Sequence, residues 1–231
     1  MINVTPWLMA AIIIAGSTLS SAALAQNASD ARAPDPKRGA AIAAQGTPSG
    51  APGCAQCHAF NGASDGSGAF PRLAAQSPQY LARQLRDFGS GERNNAVMSP
   101  IARSMTADDI ADVAAYYASL HAPVLPLPPP DPTLIKKGEQ LAMFGNDEKR
   151  VQACNNCHGA GGTGEPPTIP YLAGQYSNYI ATELKMWQRG FRKNSPNQMS
   201  AVSKLLSDDD IAAVAAYYQQ VLGSSSLAES R

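Results

Sequence analysis

Two short segments of this chain carry the same pattern of cysteine and histidine. The residues are Cys54, Cys57 and His58 in one segment and Cys154, Cys157 and His158 in the other. In a helical turn, positions i, i+3 and i+4 lie on one side, so two thiols and one imidazole face a common partner. The pattern C-x-x-C-H is typical of c-type haem attachment, in which thioether bonds join the cysteines to the haem and the histidine binds iron. We therefore expect two covalently bound haem c groups.

Two other kinds of site could use the same four cysteines. Disulfides within each pair, as in thioredoxin-like redox sites, do not require a histidine directly after the second cysteine. A single zinc site built from all four thiols would need ligands from two distant parts of the chain, and it would leave both histidines without a role. The repetition of the histidine in register therefore favours haem attachment over both alternatives.

The second half of the chain repeats the first. Residues 71–95 align without gaps on residues 170–194, and residues 98–120 align on residues 199–221. Such self-similarity indicates two copies of one structural unit. The segment between the copies is rich in proline, which favours an extended linker. We expect a signal peptide at 1–25, a first domain at 26–121, a linker at 122–132 and a second domain at 133–231.

The elements around the cysteine motifs are expected to be helical. Thr106 and Ser207 each precede an acidic residue at the third helical position, as N-cap residues do. After Thr106, apolar residues recur at i, i+3, i+4 and i+7, which places them on one helical face. These residues are Ile110, Val113, Ala114 and Tyr117. No stretch alternates apolar and polar residues for long enough to predict a strand, so the expected class is all-α.

A haem iron bound by histidine needs a ligand on its other face if it is to be six-coordinate. Methionine sulfur is a suitable ligand, and a Met/His pair raises the reduction potential. Met98 and Met199 occupy the same column of the repeat, whereas Met105 and Met186 align with residues of other types. We therefore expect the iron ligands to be His58 with Met98 and His158 with Met199. His121 has no counterpart in the second copy and is expected to be an exposed linker residue.

Composition excludes two classes of partner. The chain has 231 residues, with 18 Lys plus Arg against 18 Asp plus Glu. A neutral chain lacks the basic excess with which nucleic-acid binders neutralise phosphates, and it lacks polybasic attraction to anionic membranes. Aromatic residues make up only 6% of the chain, so two buried porphyrins would supply large flat groups that the side chains do not.

The N-terminal segment is typical of an export signal. A short apolar run at 7–15 is followed by small residues that end in Ala23-Leu24-Ala25, which fits signal peptidase cleavage before Gln26. The run is shorter than the ~20 apolar residues that a membrane-spanning helix needs. No basic residue precedes it, so an uncleaved anchor is the alternative. We expect a soluble mature protein in the periplasm.

The order of these motifs resembles class I c-type cytochromes, and the duplication with a linker is similar to the dihaem cytochrome c4 family. The resemblance runs from about Lys37 to Val221. It implies two tandem cytochrome c-like domains related by a pseudo-twofold axis, each wrapping one haem. It also implies electron transfer between respiratory partners, from a donor dehydrogenase or quinol-oxidising complex to a terminal oxidase or reductase. Any contact with a membrane would be through such a complex.

The resemblance also implies roles for residues outside the cysteine motifs. The carbonyls of Pro71 and Pro170 should accept hydrogen bonds from His58 and His158, which would fix each imidazole ring. Four further residues are expected either to contact haem propionates or to serve as packing or surface residues. They are Tyr80, Arg93, Tyr179 and Arg192.

Two other functions remain open at this level. A dihaem peroxidase-like enzyme would need an open iron position, and the matched methionines argue against one. A cytochrome subunit of a larger dehydrogenase or oxidase complex would use the linker and loops for docking, and the sequence does not separate it from a free carrier.

Overall fold

The computed structural model of the protein describes residues 32–122, 125 and 127–221. The chain divides into a short N-terminal unit, Met1–Ala33, and one compact unit, Pro34–Arg231, which contains both copies of the repeat. The expected signal peptide at 1–25 lies outside the described residues.

Each copy of the repeat folds into a similar series of helices. The first half consists of α1 (Pro36–Gln45), α2 (Ala55–His58), α3 (Pro78–Ser90), α4 (Met98–Arg103) and α5 (Ala107–Ala118). The second half consists of α6 (Pro132–Phe144), α7 (Asn155–His158), a 3₁₀ turn (Ala160–Gly162), α8 (Ser177–Gln188), α9 (Met199–Ser203) and α10 (Asp208–Gln220). The residues that the structure describes form isolated β-bridges but no strand, so the all-α prediction is confirmed.

The predicted N-caps begin the last helix of each half. Thr106 accepts a hydrogen bond from the backbone of Asp109, whose carboxylate bonds back to the backbone of Thr106. Ser207 and Asp210 form the same reciprocal capping box at α10. Such boxes satisfy amide groups that the first helical turn leaves without an intrahelical partner. α6 begins at Pro132, the last residue of the expected linker, and Asp131 is its N-cap.

The first helix of each half crosses the last one at a glycine. A Cβ atom on Gly39 in α1 would lie 2.1 Å from the carbonyl oxygen of Asp112 in α5. A Cβ atom on Gly138 in α6 would lie 2.0 Å from the carbonyl oxygen of Ala213 in α10. Only a residue without a side chain allows this approach, so the two crossings fix the position of the terminal helices in both halves.

The apolar face of the last helix forms the centre of each core. In α5 the predicted stripe is confirmed, because Ile110, Val113 and Ala114 are buried against residues of α1 and α3. In α10 the equivalent residues pack with residues of α6 and α8. Cys54 and Cys154 lie at the edges of these two cores. Within the described part of the chain, no helix is long and apolar enough to cross a membrane.

Candidate haem-binding sites

The two C-x-x-C-H motifs form single helical turns, α2 and α7. The amide of His58 donates to the carbonyl of Cys54 at 3.0 Å, and that of His158 donates to Cys154 at 2.9 Å. This i to i+4 bond closes the turn, which brings the three functional side chains of each motif to one side as expected. Neither pair of cysteines forms a disulfide.

Both histidines are held by a proline carbonyl. Nδ1 of His58 lies 3.3 Å from the carbonyl oxygen of Pro71, and Nδ1 of His158 lies 2.9 Å from that of Pro170. A carbonyl oxygen only accepts, so Nδ1 carries the proton and Nε2 keeps a free lone pair. Burial lowers the pKa of both imidazoles, which favours the neutral form in which an imidazole can bind a metal. The hydrogen bonds that the resemblance implied are therefore present.

The first cysteine of each motif is partly buried. Burial raises the pKa of Cys54 and of Cys154 to about 11. Among residues 32–122, 125 and 127–221, no three His, Cys, Asp or Glu side chains are grouped as a metal site. Two thiols and one imidazole in each motif match the residues that hold one covalently attached haem.

The two matched methionines have the same place in the fold. Met98 is the first residue of α4 and Met199 is the first residue of α9, and both are partly buried. The backbone amide of Met98 donates to Asn95 at 2.9 Å, and that of Met199 donates to Ser195 at 3.4 Å. Axial ligation by these two methionines stays a prediction.

The other candidate iron ligands lie in different surroundings. Met105 packs against the core formed by α1, α3 and α5, which is the setting of a core side chain. His121 is exposed, as expected for a residue beside the linker.

The two halves meet at a buried charged cluster. Arg93 and Arg192 pair as an isolated antiparallel bridge, and both are almost fully buried. Glu183 lies between their guanidinium groups, with Oε1 2.8 Å from Arg93 and Oε2 2.6 Å from Arg192. Burial alone would raise the pKa of Glu183, but the two arginines lower it overall, so this carboxylate is ionised. The cluster contains two positive charges and one negative charge from these side chains.

Three of the four residues that could contact propionates belong to this cluster: Arg93, Tyr179 and Arg192. Arg93 donates to the hydroxyl of Tyr179 at 2.7 Å and its guanidinium stacks on Phe88. Arg192 stacks on Trp187, with its guanidinium carbon 3.6 Å from the ring centroid. Nε1 of Trp187 and Nε of Arg192 are buried donors without a hydrogen-bond partner. Buried unpaired donors beside an excess of positive charge suit a carboxylate ligand such as a haem propionate.

Two glutamines connect the halves in a reciprocal way that the sequence analysis missed. Gln76 of the first half binds the backbone of Tyr171, and Gln175 of the second half binds the backbone of Arg72. Gln76 and Gln175 are equivalent in the repeat, and so are Arg72 and Tyr171. Exchange of equivalent contacts is what a pseudo-twofold axis produces. The sequence shows that both copies of the repeat have glutamine at this position. A repeat does not show, however, which half of the protein a side chain contacts.

Family models match both halves. The model described as "Cytochrome c" matches residues 36–121, and the model described as "Cytochrome C oxidase, cbb3-type, subunit III" matches residues 149–217. Two cytochrome c domains in one chain, each with a C-x-x-C-H motif, mean that the protein binds two covalent haem c groups.

Known proteins resemble the chain over most of its length. It is 40% identical over 169 residues to a cytochrome c4 of Thiocapsa roseopersicina, covering 72% of this chain and 85% of that protein. It is 39% identical over 169 residues to a thiosulfate dehydrogenase electron acceptor of Thiomonas intermedia, covering 73% and 78%. A solved thiosulfate dehydrogenase of Marichromatium purpuratum matches with a TM-score of 0.74 at 39% identity. That match covers 80% of this chain and 40% of the solved one.

Proposed function

The chain belongs to the dihaem class I c-type cytochromes of the cytochrome c4 family, and we propose that it accepts electrons from a thiosulfate-oxidising dehydrogenase in the periplasm. Electron transfer is the function of the family. The proposal therefore concerns the electron donor, the compartment, and whether the carrier is a free protein or a subunit of a complex. The observation that carries it is the 39% identity to a thiosulfate dehydrogenase electron acceptor across both cytochrome domains.

The haem supplies an iron that exchanges one electron between its ferrous and ferric forms. The chain contributes the ligands and the setting of each iron. We assign Cys54 and Cys57 to the first haem and Cys154 and Cys157 to the second as thioether anchors. His58 and His158 would each bind one iron through Nε2, because their Nδ1 protons are donated to proline carbonyls.

Met98 and Met199 would supply the second protein ligand of each iron. Their equivalent positions at the first residue of α4 and of α9 support this assignment. Two strong ligands on each iron leave no coordination position for a substrate, and the protein then acts as a carrier rather than as a catalyst. A dihaem peroxidase-like enzyme would instead need one position to open.

A second candidate is a cytochrome subunit that stays attached to a dehydrogenase. The Marichromatium purpuratum match favours it, because part of a thiosulfate dehydrogenase chain is similar to this protein. In that case the electrons follow the same route, but the carrier does not leave its donor. Co-purification of the native protein with a dehydrogenase through size-exclusion chromatography would support the subunit, and elution alone would support the free carrier.

The donor is tested by mixing the oxidised holoprotein with thiosulfate and a purified thiosulfate dehydrogenase in a stopped-flow spectrometer. We expect rapid appearance of the absorption of reduced haem c in both domains. Thiosulfate without the dehydrogenase is the control and should leave the protein oxidised. Failure of the dehydrogenase to reduce the protein would overturn the proposed donor, and turnover of thiosulfate by this protein alone would overturn its role as a carrier.

A further inference from the structure

We propose that Gln76 and Gln175 are positioning residues that tune the haem of the opposite domain. Gln76 acts on the site of His158, and Gln175 acts on the site of His58, each through one peptide group at the interface. The proposal rests on the assignment of these histidines as iron ligands. It gives each domain a direct influence on the reduction potential of its neighbour.

The first connection runs from the second domain to His58. The backbone amide of Arg72 donates to Oε1 of Gln175 at 2.9 Å. The same peptide group carries the carbonyl of Pro71, which accepts from Nδ1 of His58. One peptide therefore receives a hydrogen bond from the histidine at one end and gives a hydrogen bond to the glutamine at the other.

The second connection repeats the first in the opposite direction. The amide of Tyr171 donates to Oε1 of Gln76 at 3.3 Å, and the carbonyl of Pro170 in the same peptide accepts from His158 at 2.9 Å. The two connections differ in their distances: the histidine bond is shorter at His158 and the glutamine bond is shorter at Gln175. The two haem sites are therefore related but not identical in their hydrogen bonding.

Both glutamine side chains are fixed in this arrangement. Gln76 and Gln175 are 5% and 4% exposed. Their Nε2 atoms donate to the carbonyls of Tyr171 and Arg72, at 3.3 and 2.9 Å respectively, so each amide grips its partner residue at both its N–H and its C=O. A buried amide with both ends bonded has one favourable orientation, so the acceptor oxygen stays on the peptide that holds the histidine.

The physical effect follows from the polarity of a shared peptide group. A hydrogen bond accepted from a peptide N–H shifts electron density towards the carbonyl oxygen of the same peptide and makes it a better acceptor. A better acceptor draws the Nδ1 proton of the histidine more strongly and makes the imidazole a more basic ligand. A more basic ligand stabilises ferric iron relative to ferrous iron, so each glutamine lowers the reduction potential of the opposite haem.

The test compares the holoprotein with Gln76→Met and Gln175→Met, which keep the length of the side chain and remove its hydrogen bonds. In Gln76→Met, we expect the NMR signal of the His158 Nδ1 proton in the reduced protein to move upfield, while the His58 signal stays in place. At a fixed solution potential, the ratio of reduced to oxidised second haem should rise about two-fold. Gln175→Met should produce the mirror pattern at His58 and the first haem.

Matched controls remove interface contacts that do not touch these peptides. Ser77→Ala removes a hydrogen bond from Ser77 to the carbonyl of Pro167 at 2.8 Å. Tyr176→Phe removes the hydrogen bond from the Tyr176 hydroxyl to the carbonyl of Ala63. Both controls should leave the two histidine signals in place. This result would distinguish loss of one glutamine–peptide–histidine connection from a general weakening of the interface.

A third variant covers the case in which the methionine proteins fail to fold. Gln76→Glu keeps an acceptor oxygen on the peptide, and an ionised carboxylate is the stronger acceptor, so the His158 proton should move downfield. Equal changes at both histidines, changes confined to the domain that carries the substitution, or no change in folded holoprotein would overturn the proposal. If each substitution changes only the histidine of the opposite domain but thiosulfate dehydrogenase does not reduce the protein, only the proposed donor would be overturned.

Discussion

Glu183 joins Arg93 and Arg192 across the boundary between the two halves, with contacts of 2.8 and 2.6 Å. The residue equivalent to Glu183 in the first half is Gln84, which accepts hydrogen bonds from the same two arginines at 3.0 and 2.9 Å. At these two equivalent positions, Glu183 therefore provides a carboxylate and Gln84 provides a neutral amide to the buried arginines. The charge at the interface is not symmetric, although the backbone bridge at its centre is.

The carboxylate of Glu183 is predicted to stabilise the association of the two halves. Glu183→Gln removes the carboxylate that lies between two buried guanidinium groups, which should lower the free energy of unfolding by about 3–5 kcal/mol. The holoprotein is measured by guanidinium unfolding at pH 7. Asp208→Asn is the matched control, because Asp208 is 81% exposed in its ion pair with Lys185. That control should cost less than about 1 kcal/mol, and equal costs for the two variants would contradict the account.

Acid should weaken the protein through Asp210 at the start of α10. Burial alone would raise the pKa of Asp210, but hydrogen bonds from Lys149, Ser207 and Lys137 lower it overall. Its stabilising effect is therefore complete above about pH 4, near the pKa of an unfolded aspartate, and is lost as the pH falls through the lower folded value. In Asp210→Asn, the free energy of unfolding should decrease at pH 7 and depend less steeply on pH between 5 and 2. The exposed Asp209→Asn should keep the steep dependence, and an unchanged slope in Asp210→Asn would refute this prediction.

Each axial methionine is predicted to control one haem. Met98→Ala should remove about half of the sulfur-to-iron charge-transfer absorption of the oxidised protein and allow carbon monoxide to bind one reduced haem. Met199→Ala should do the same for the other haem. Met105→Leu is the control, because Met105 packs in the core and its counterpart in the repeat is Leu206. Loss of the band in Met105→Leu, or its full retention in Met98→Ala, would show that the ligand is wrongly assigned.

The glycine crossings should tolerate no side chain. Gly39→Ala places a Cβ atom 2.1 Å from a backbone oxygen, so α1 must move away from α5. Such overpacking should lower the free energy of unfolding by at least about 1–3 kcal/mol. Gly89→Ala in α3 is the control, since its nearest atoms would be 3.7 Å away. That change should be neutral or stabilise by up to about 1 kcal/mol, and a thermal scan that ranks the two variants in the reverse order would contradict the packing argument.

The sequence could predict the features that depend on local spacing. Cys54, Cys57 and His58 lie within one turn, and the capping residue Thr106 acts on the helix that directly follows it. Local hydrogen bonds of this kind are dictated by neighbours along the chain. The alignment of the two copies also predicted that Met98 and Met199 occupy equivalent positions in the two halves, and each is the first residue of a short helix.

The contacts between the halves could not be predicted in the same way. Gln76 contacts Tyr171, which is 95 residues away, and nothing in the neighbourhood of either residue specifies that pairing. Arg192 was expected to bind a propionate or to pack, and the structure shows a buried guanidinium that stacks on Trp187 while its Nε has no partner. Whether such a side chain contacts its own half or the other half depends on how the two halves associate. The spacing of residues along the chain does not determine that association.

The central claim is that this chain carries one electron on each of two six-coordinate haems. The most direct test is a potentiometric titration of the holoprotein followed by visible absorption. The account predicts two one-electron steps, with sulfur-to-iron charge-transfer absorption from both haems in the oxidised form and no rapid binding of carbon monoxide after reduction. A single one-electron step, or absence of the band together with rapid binding of carbon monoxide, would contradict it.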